Sequence, residues 1–311
     1  MPKILDCTLR DGGYINNWDF PLASSKDIIS LLKKANIDFI EIGFYHHNLD
    51  RIIPENSSNI YAMVQYSKTP LEIIPSSDKS KIKNLRIIFK KHEKYGALDY
   101  CAKIKDLGYK IFINATFINQ YKDGELAELI GKVNNISPFA FTVTDSMGTY
   151  TSSDIKRIYN IIKNELKTDI SLCFHSHNNL GLSLANAKTL IEINSTHELI
   201  IDSCLLGMGR GAGNLNTELI AQYLNLKNEK YNIKPVFQAI EKYINPIYKK
   251  HPWGYSVPYY LSALHGCHPN YARDLIQKKI KLENMDKIFS AIPEDKKAIY
   301  DSALLNFDIG K

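Results

Sequence analysis

A (β/α)8 barrel, or TIM barrel, with an appended C-terminal helical region is the α/β fold class this sequence predicts, and three observations predict it. Short apolar, β-branched runs alternate with amphipathic segments from residue 3 to about residue 225, the pattern of a parallel sheet with helical crossovers. Eight such runs can be counted, the number that closes a barrel. No glycine-rich loop of the GxGxxG or GxxxxGK type follows the first run, as an open, doubly wound sheet of this size would usually carry.

The runs are residues 3–8, 38–44, 71–75, 85–89, 109–115, 139–144, 170–175 and 198–205. Apolar residues recur at helical spacing over 24–35, 92–107, 123–133, 153–166 and 180–193. The stretch 76–84 is too short for a full helix, so an irregular crossover is expected there. Beyond residue 227 the alternation stops, and Pro235, Pro246, Pro252, Pro258 and Pro269 punctuate a helical pattern. Two units are therefore expected, a catalytic barrel over 1–226 and a helical region over 227–311. The densest part of the second is 251–260, followed by His265, His268 and Tyr271. Such a cluster packs a core, lids a barrel mouth or joins two subunits.

With 311 residues, 44% of them hydrophobic, the chain is long enough for a large core and too apolar to be disordered. The net charge of +6 is mild, and its basic residues are interleaved with acidic ones. Nucleic-acid binding is not indicated, whereas a small anionic substrate would be welcome. No run approaches the roughly 20 apolar residues of a membrane span, and no basic segment leads into an apolar stretch at the N-terminus. Cys7, Cys101, Cys173, Cys204 and Cys267 are odd in number and include no CxxC pair, which argues against a disulfide framework and for a reducing cytoplasm. A homodimer is a further expectation.

In such a barrel, the chemistry sits where strands end at the C-terminal mouth. The polar residues expected there are Arg10, Asp11, Glu41, Asn114, Thr116, Asp145, His175, His177, Arg210 and Asn214. His175 and His177, at i and i+2 of an extended segment, put both imidazoles on one face, as a shared metal ion needs. Asp11 would supply an acidic ligand, with Arg10 a fixed cation beside it, provided the first strand ends there. Gly12 and Gly13 ease that exit. The loop 207–213 holds four glycines before a helix, and Asn214 offers a carbonyl oxygen to a metal shell.

Taken together, TLRDG at 8–12, EIGF at 41–44, HSHNN at 175–179 and GAGN at 211–214 resemble the HMG-CoA lyase-like metallolyases. That family includes 4-hydroxy-2-oxovalerate aldolases and the isopropylmalate and homocitrate synthases. The resemblance implies a divalent metal held by Asp11, His175, His177 and Asn214, and an enolate oxygen stabilised by Arg10. It further implies a 2-oxo acid and an aldehyde as substrates, joined or parted through a pyruvate-type enolate. Such a ligand set suits Mn²⁺, with Mg²⁺ or Co²⁺ as alternatives. The aldolase branch carries a histidine two residues after its RDG motif, and Tyr14 stands there instead. Arg10, Tyr14 and Glu41 are the catalytic candidates, while His46, His47, Tyr259 and His265 stay open as the proton-transfer group. A Claisen-type acyl-CoA condensing enzyme and a metal-binding barrel without turnover are the alternatives.

Overall fold

Eight strands form the sheet: β1 (Lys3–Asp6), β2 (Phe39–Phe44), β3 (Ile60–Gln65), β4 (Asn84–Phe89), β5 (Lys110–Ala115), β6 (Ala140–Asp145), β7 (Ser171–Ser176) and β8 (Leu199–Ser203). They pair in sequence order, every pair parallel, and β8 closes on β1 through Leu5↔Asp202 and its neighbours. The (β/α)8 barrel expected from the sequence is thus the observed fold. The computed structural model describes residues 1–46, 49–54 and 58–305.

Strands buried on both faces should read as unbroken apolar runs, and β6 and β7 are buried at every position. Their outer faces meet helices such as α4 (Ser152–Glu165), which buries Ile155, Ile158, Tyr159 and Ile162 at the spacing of one helical face. Thr151 starts that helix by a reciprocal cap, accepting from the N–H of Asp154 and donating its own N–H to the Asp154 carboxylate. Inside the barrel, Phe39, Tyr61 and Phe112 meet edge to face, with centroids 5.4 Å and 4.7 Å apart for successive pairs. These rings lie near the strands' N-terminal ends, so any open space falls at the opposite, C-terminal end.

The remaining crossovers are α1 (Leu22–Lys34), α2 (Lys94–Asp106), α3 (Asp123–Ile136) and α5 (Ser183–Glu192), and α6 (Thr217–Asn225) follows β8. The expected third strand is corrected by the structure. Residues 71–75 hold only a 3-10 turn, Leu71–Ile73, and the strand is β3, Ile60–Gln65. Pro70 and Pro75 bracket the four-residue run and leave it too short to lay down a ladder, whereas Asn84 donates to the Ser58 and Ile60 carbonyls and docks β3. Two 3-10 turns, Leu71–Ile73 and Ser77–Lys79, make the irregular β3–β4 crossover.

After α6 come α7 (Ile233–Ala239), α8 (Asn245–Lys250), α9 (Val257–Leu264), α10 (Pro269–Gln277), α11 (Leu282–Ala291) and α12 (Glu294–Lys297). The barrel's apolar core runs on through Val236, Ala239 and Ile244 to Trp253. A separate cluster formed by Tyr271, Leu275, Ile288 and Phe289 holds the last helices together. No described helix is long and apolar enough to cross a membrane.

Candidate metal centre and barrel-mouth cavity

β1 ends at Asp6, and the Cys7 carbonyl then accepts from the N–H groups of both Arg10 and Asp11, turning the chain so that both side chains reach one site. Gly13 is required at this turn because a Cβ there would lie 2.1 Å from the Trp18 ring. Trp18 in turn donates its indole N–H to the Arg10 carbonyl at 2.8 Å and locks the exit. His175 is the fifth residue of β7 and His177 follows its end, and their ring centroids stand 5.0 Å apart. Asp11 Oδ2 lies 4.0 Å from His175 Nε2 and 3.7 Å from His177 Nε2, and these ligand atoms all fall within 4.8 Å of one another.

Each ring's far nitrogen fixes which atom faces this point. His175 Nδ1 is 3.0 Å from Asp202 Oδ2, and His177 Nδ1 is 2.8 Å from the Asp145 carbonyl. A carboxylate and a carbonyl both accept, so each Nδ1 carries the proton and each Nε2 presents a lone pair. Burial, partly opposed by Asp11, pushes His177 down to about 4 and keeps it neutral at pH 7. Burial alone would push the Asp11 carboxyl up, but Arg10, the two histidines and Arg210 outweigh it and hold Asp11 well below the usual carboxylate range. Asn214 joins the cluster by its amide N–H group, which donates to Asp11 Oδ2 at 2.6 Å and to the Met208 carbonyl at 2.9 Å. Its Oδ1 is buried and has no hydrogen-bond partner among the described residues. An anionic oxygen and two imidazole lone pairs fit one divalent cation, and the Asn214 amide stands beside them with its nitrogen toward Asp11.

Beneath the cluster runs a chain of buried charges. Arg10 donates through Nε to Glu41 at 2.6 Å and through a terminal nitrogen to Asp11. Glu41 also stands 3.2 Å from Arg86 Nε, and Arg86 forks onto both oxygens of Asp202, which holds His175. Burial works against Asp202 as an anion, yet Arg86 and His175 hold its carboxyl well below the usual range. Glu41 is fully buried and does not line the cavity, so its contact is with Arg10 and Arg86. Sequence reading passed over Arg86 and Asp202. The available signal was a lone charge inside an apolar strand, in Leu85-Arg86-Ile87 and Ile201-Asp202, where burial demands a partner.

Arg10, Asp11, His175 and His177 open onto a cavity of about 150 Å³ at the mouth, which Tyr14, Arg210 and His268 also line. Asn114 and Thr144 line it too, bonded to each other at 2.7 Å, and Thr116 stands beside them. The Asp145 side chain instead accepts from the N–H groups of Thr149 and Tyr150 and shapes the turn into α4. Among the proton-transfer candidates, Tyr14 lines the cavity, and its hydroxyl makes no hydrogen bond among the described residues. Tyr259 packs against the position of Gly211, His265 pairs with Asp286 at 2.8 Å among the last helices, and His46 lines a neighbouring recess. His47 lies outside the described residues. His268, named with the aromatic and histidine cluster that follows residue 251, enters from the C-terminal helices and lines the mouth, one of the three roles open to that cluster. The 251–260 stretch buttresses the glycine loop, with the Trp253 indole donating to the Leu206 carbonyl at 2.9 Å.

A closed parallel barrel whose mouth gathers Asp11, His175 and His177 falls in the class of barrel proteins with a site suited to one divalent cation. The chain belongs to the HMGL-like family, whose profile matches residues 73–243. A 4-hydroxy-2-oxovalerate aldolase of Thermomicrobium roseum is 25% identical over 295 residues, spanning 86% of this chain and 82% of that protein. An oxaloacetate decarboxylase of Mycobacterium tuberculosis is 24% identical over 242 residues, spanning 72% and 70%. Among solved structures, the N-terminal domain of a candidate aldolase from Bacteroides vulgatus superposes with a TM-score of 0.77 at 25% identity, covering 92% of this chain and 99% of that one. Hydroxymethylglutaryl-CoA lyase from Pseudomonas aeruginosa shares the fold, with a TM-score of 0.67 at 14% identity over 81% of this chain and 94% of that one.

Proposed function

We propose that the protein is a divalent-metal-dependent carbon–carbon lyase, an aldolase that makes or breaks a bond beside the ketone of a pyruvate-type 2-oxo acid, with an aldehyde as the other partner. The observation that carries this reading is the pairing of Asp11, His175 and His177, tautomers fixed, with a guanidinium held beside them. Relatives named as aldolases and as an oxaloacetate decarboxylase support it, since both reactions share a pyruvate enolate.

Asp11, His175 and His177 would hold the cation, with Asn214 adjacent, and Mn²⁺ is the ion this mixed set favours. When bound, the cation supplies Lewis-acid stabilisation of negative charge on the 2-oxo acid's oxygens. The chain's own part begins with Arg10. Glu41 and Asp11 fix its plane, so a remaining N–H can meet the ketone oxygen as charge develops there, without reorganisation. Asn114, Thr144 and Thr116 offer polar contacts to the bound acid. Tyr14 is the proposed proton-transfer group, by its place in the cavity. His268 also lines that cavity, so the helical region 227–311 contributes to a site whose other residues lie in 1–226. All five cysteines are free and buried, which fits a reducing cytoplasm.

The test is proton exchange at the pyruvate methyl group in deuterated buffer. Protein loaded with Mn²⁺ should introduce deuterium, and chelator-treated protein should not. Tyr14→Phe should slow the exchange if the phenol moves the proton. No exchange by metal-loaded protein with pyruvate or other 2-oxo acids would overturn the reading.

A further inference from the structure

Arg210 is half-buried, yet it has no carboxylate partner among the described residues. Its guanidinium sits over the Tyr14 ring, 4.0 Å from the centroid, and Tyr14 is itself wedged against Trp18 and Phe44. A guanidinium stacked in this way is held in one orientation while its N–H edge stays available to a planar anion. Partly buried cations are normally paired, because desolvation without a partner costs stability. One without a carboxylate partner at the lip of a cavity is therefore suited to an anion brought by a ligand.

Two further donors share that lip. His268 caps α10, its Nδ1 accepting from the Asn270 N–H at 3.1 Å, so the ring proton lies on Nε2. The ring is anchored by its backbone N–H to the Lys297 carbonyl at 2.7 Å and by Tyr300, whose centroid is 6.1 Å away. Burial, then the charges of Arg210, His177, Arg273 and Lys90, push His268 down to about 3, so it stands at neutral pH as an uncharged N–H donor. Lys90, exposed and directly after β4, also lines the cavity and has no carboxylate partner among the described residues. Among the described residues, Glu93 is the acid on this side of the lining, and its Oε2 accepts from the Lys90 backbone N–H at 2.7 Å. Arg210 lines the same cavity as Asp11, His177 and His268.

We propose that Arg210, His268 and Lys90 form an anion subsite on the rim of the cavity, which takes a carboxylate or phosphate carried by the aldehyde substrate. The inference rests on the aldolase reading and narrows it. The 2-oxo acid would be held by the cation at Asp11, His175 and His177 and by Arg10, so the rim donors are left for the second substrate. An aldehyde with an anionic group at its far end would be drawn in by Arg210 and Lys90 and turned by the fixed guanidinium.

Matched aldehydes test this with Mn²⁺-loaded protein and pyruvate: succinic semialdehyde against butanal for a carboxylate, glyceraldehyde 3-phosphate against glyceraldehyde for a phosphate. One charged member should exceed its neutral counterpart in kcat/KM by roughly tenfold or more, the scale of a charge-assisted hydrogen bond. Arg210→Met should cost that charged aldehyde about tenfold more than the neutral one, and His268→Phe and Lys90→Met should shrink the same preference. Charged aldehydes no better than neutral ones in both pairs would overturn the subsite. So would an Arg210→Met variant that binds oxalate, a stand-in for the 2-oxo acid, as weakly as it binds the charged aldehyde. Methyl exchange in the same samples separates the two ideas. Exchange without a charge preference sinks the subsite alone, and absent exchange sinks the aldolase reading along with it.

Discussion

The floor of the cavity and its rim treat charge in opposite ways. On the floor, Arg10, Glu41, Arg86, Asp202 and His175 are buried, and each is paired with the next, so the positions of Arg10 and His175 are set by partners that never meet solvent. On the rim, Arg210 and Lys90 have no carboxylate partners among the described residues, and His268 carries its ring proton on Nε2. A network closed on itself fixes geometry, whereas donors left open wait for a ligand. Breaking the floor should damage fold and metal binding together, while changes on the rim should alter which substrate is preferred.

The largest effect is expected from Asp202→Ala, which leaves the Arg86 guanidinium with Glu41 alone in the barrel interior and frees His175 Nδ1. Removing one partner of a buried pair costs about 3–5 kcal/mol, and loss of a ligand's orienting carboxylate costs roughly 10–100-fold in metal affinity. Urea unfolding and Mn²⁺ titration would show both. A variant with normal stability and normal affinity would mean that the floor is not coupled to the metal centre.

Arg10→Lys comes next. It keeps a charge but loses the planar fork that spans Glu41 and Asp11, so pyruvate methyl exchange should fall about 100-fold, the scale of removing one oriented oxyanion donor. Mn²⁺ affinity should change far less. Equal losses in both would make Arg10 a support for the ligands rather than for the enolate.

A smaller and pH-dependent effect belongs to the rim. His268 is held at about 3 in the fold, against an ordinary value of 6.5, so between these values the unfolded chain binds the extra proton. Stability from this group is therefore complete above pH 6.5 and is lost as pH falls. Between pH 6.5 and 5 the loss should be roughly 2 kcal/mol. His268→Gln removes the titrating group, so its urea midpoint should drop less over that interval than that of the wild type. Parallel curves would show that His268 is not held neutral.

A change of similar size in stability is expected at the glycine loop. Gly213 has φ +81° and its hydrogen faces the Gly207 carbonyl, so Gly213→Ala strains the turn that presents Asn214. It should cost about 1–3 kcal/mol and weaken Mn²⁺ only modestly, because Asn214 would contribute a neutral oxygen.

Much of the floor could be read from the chain because its signals are local. His175 and His177 announce a shared face by their spacing, and Arg10 and Asp11 can share a site because the strand stops at Asp6. The barrel was legible for the same reason, since apolar runs and helical periodicity are properties of short windows. The sequence points to a third strand at 71–75 because Leu71, Ile73 and Ile74 are apolar, yet two prolines bracket them, while the polar lead-in before Ile60 masks the strand Ile60–Gln65. Arg86 and Asp202 left a trace as isolated charges in apolar strands. His268 stands in a cluster whose role the sequence leaves open among three. It reaches the mouth only because the last helices gather around Tyr271 and Phe289 and turn α10 toward the barrel, a tertiary event that no local spacing encodes.

The central claim is that Asp11, His175 and His177 form a single metal centre in which each imidazole offers Nε2. Mn²⁺ binding followed by electron paramagnetic resonance tests it most directly, on the wild type and on His175→Ala and His177→Ala. The account predicts one ion per wild-type chain, with coupling to two imidazole nitrogens, and loss of most of the affinity in each variant. One ion bound with undiminished affinity in both variants, or a signal without nitrogen coupling, would contradict it.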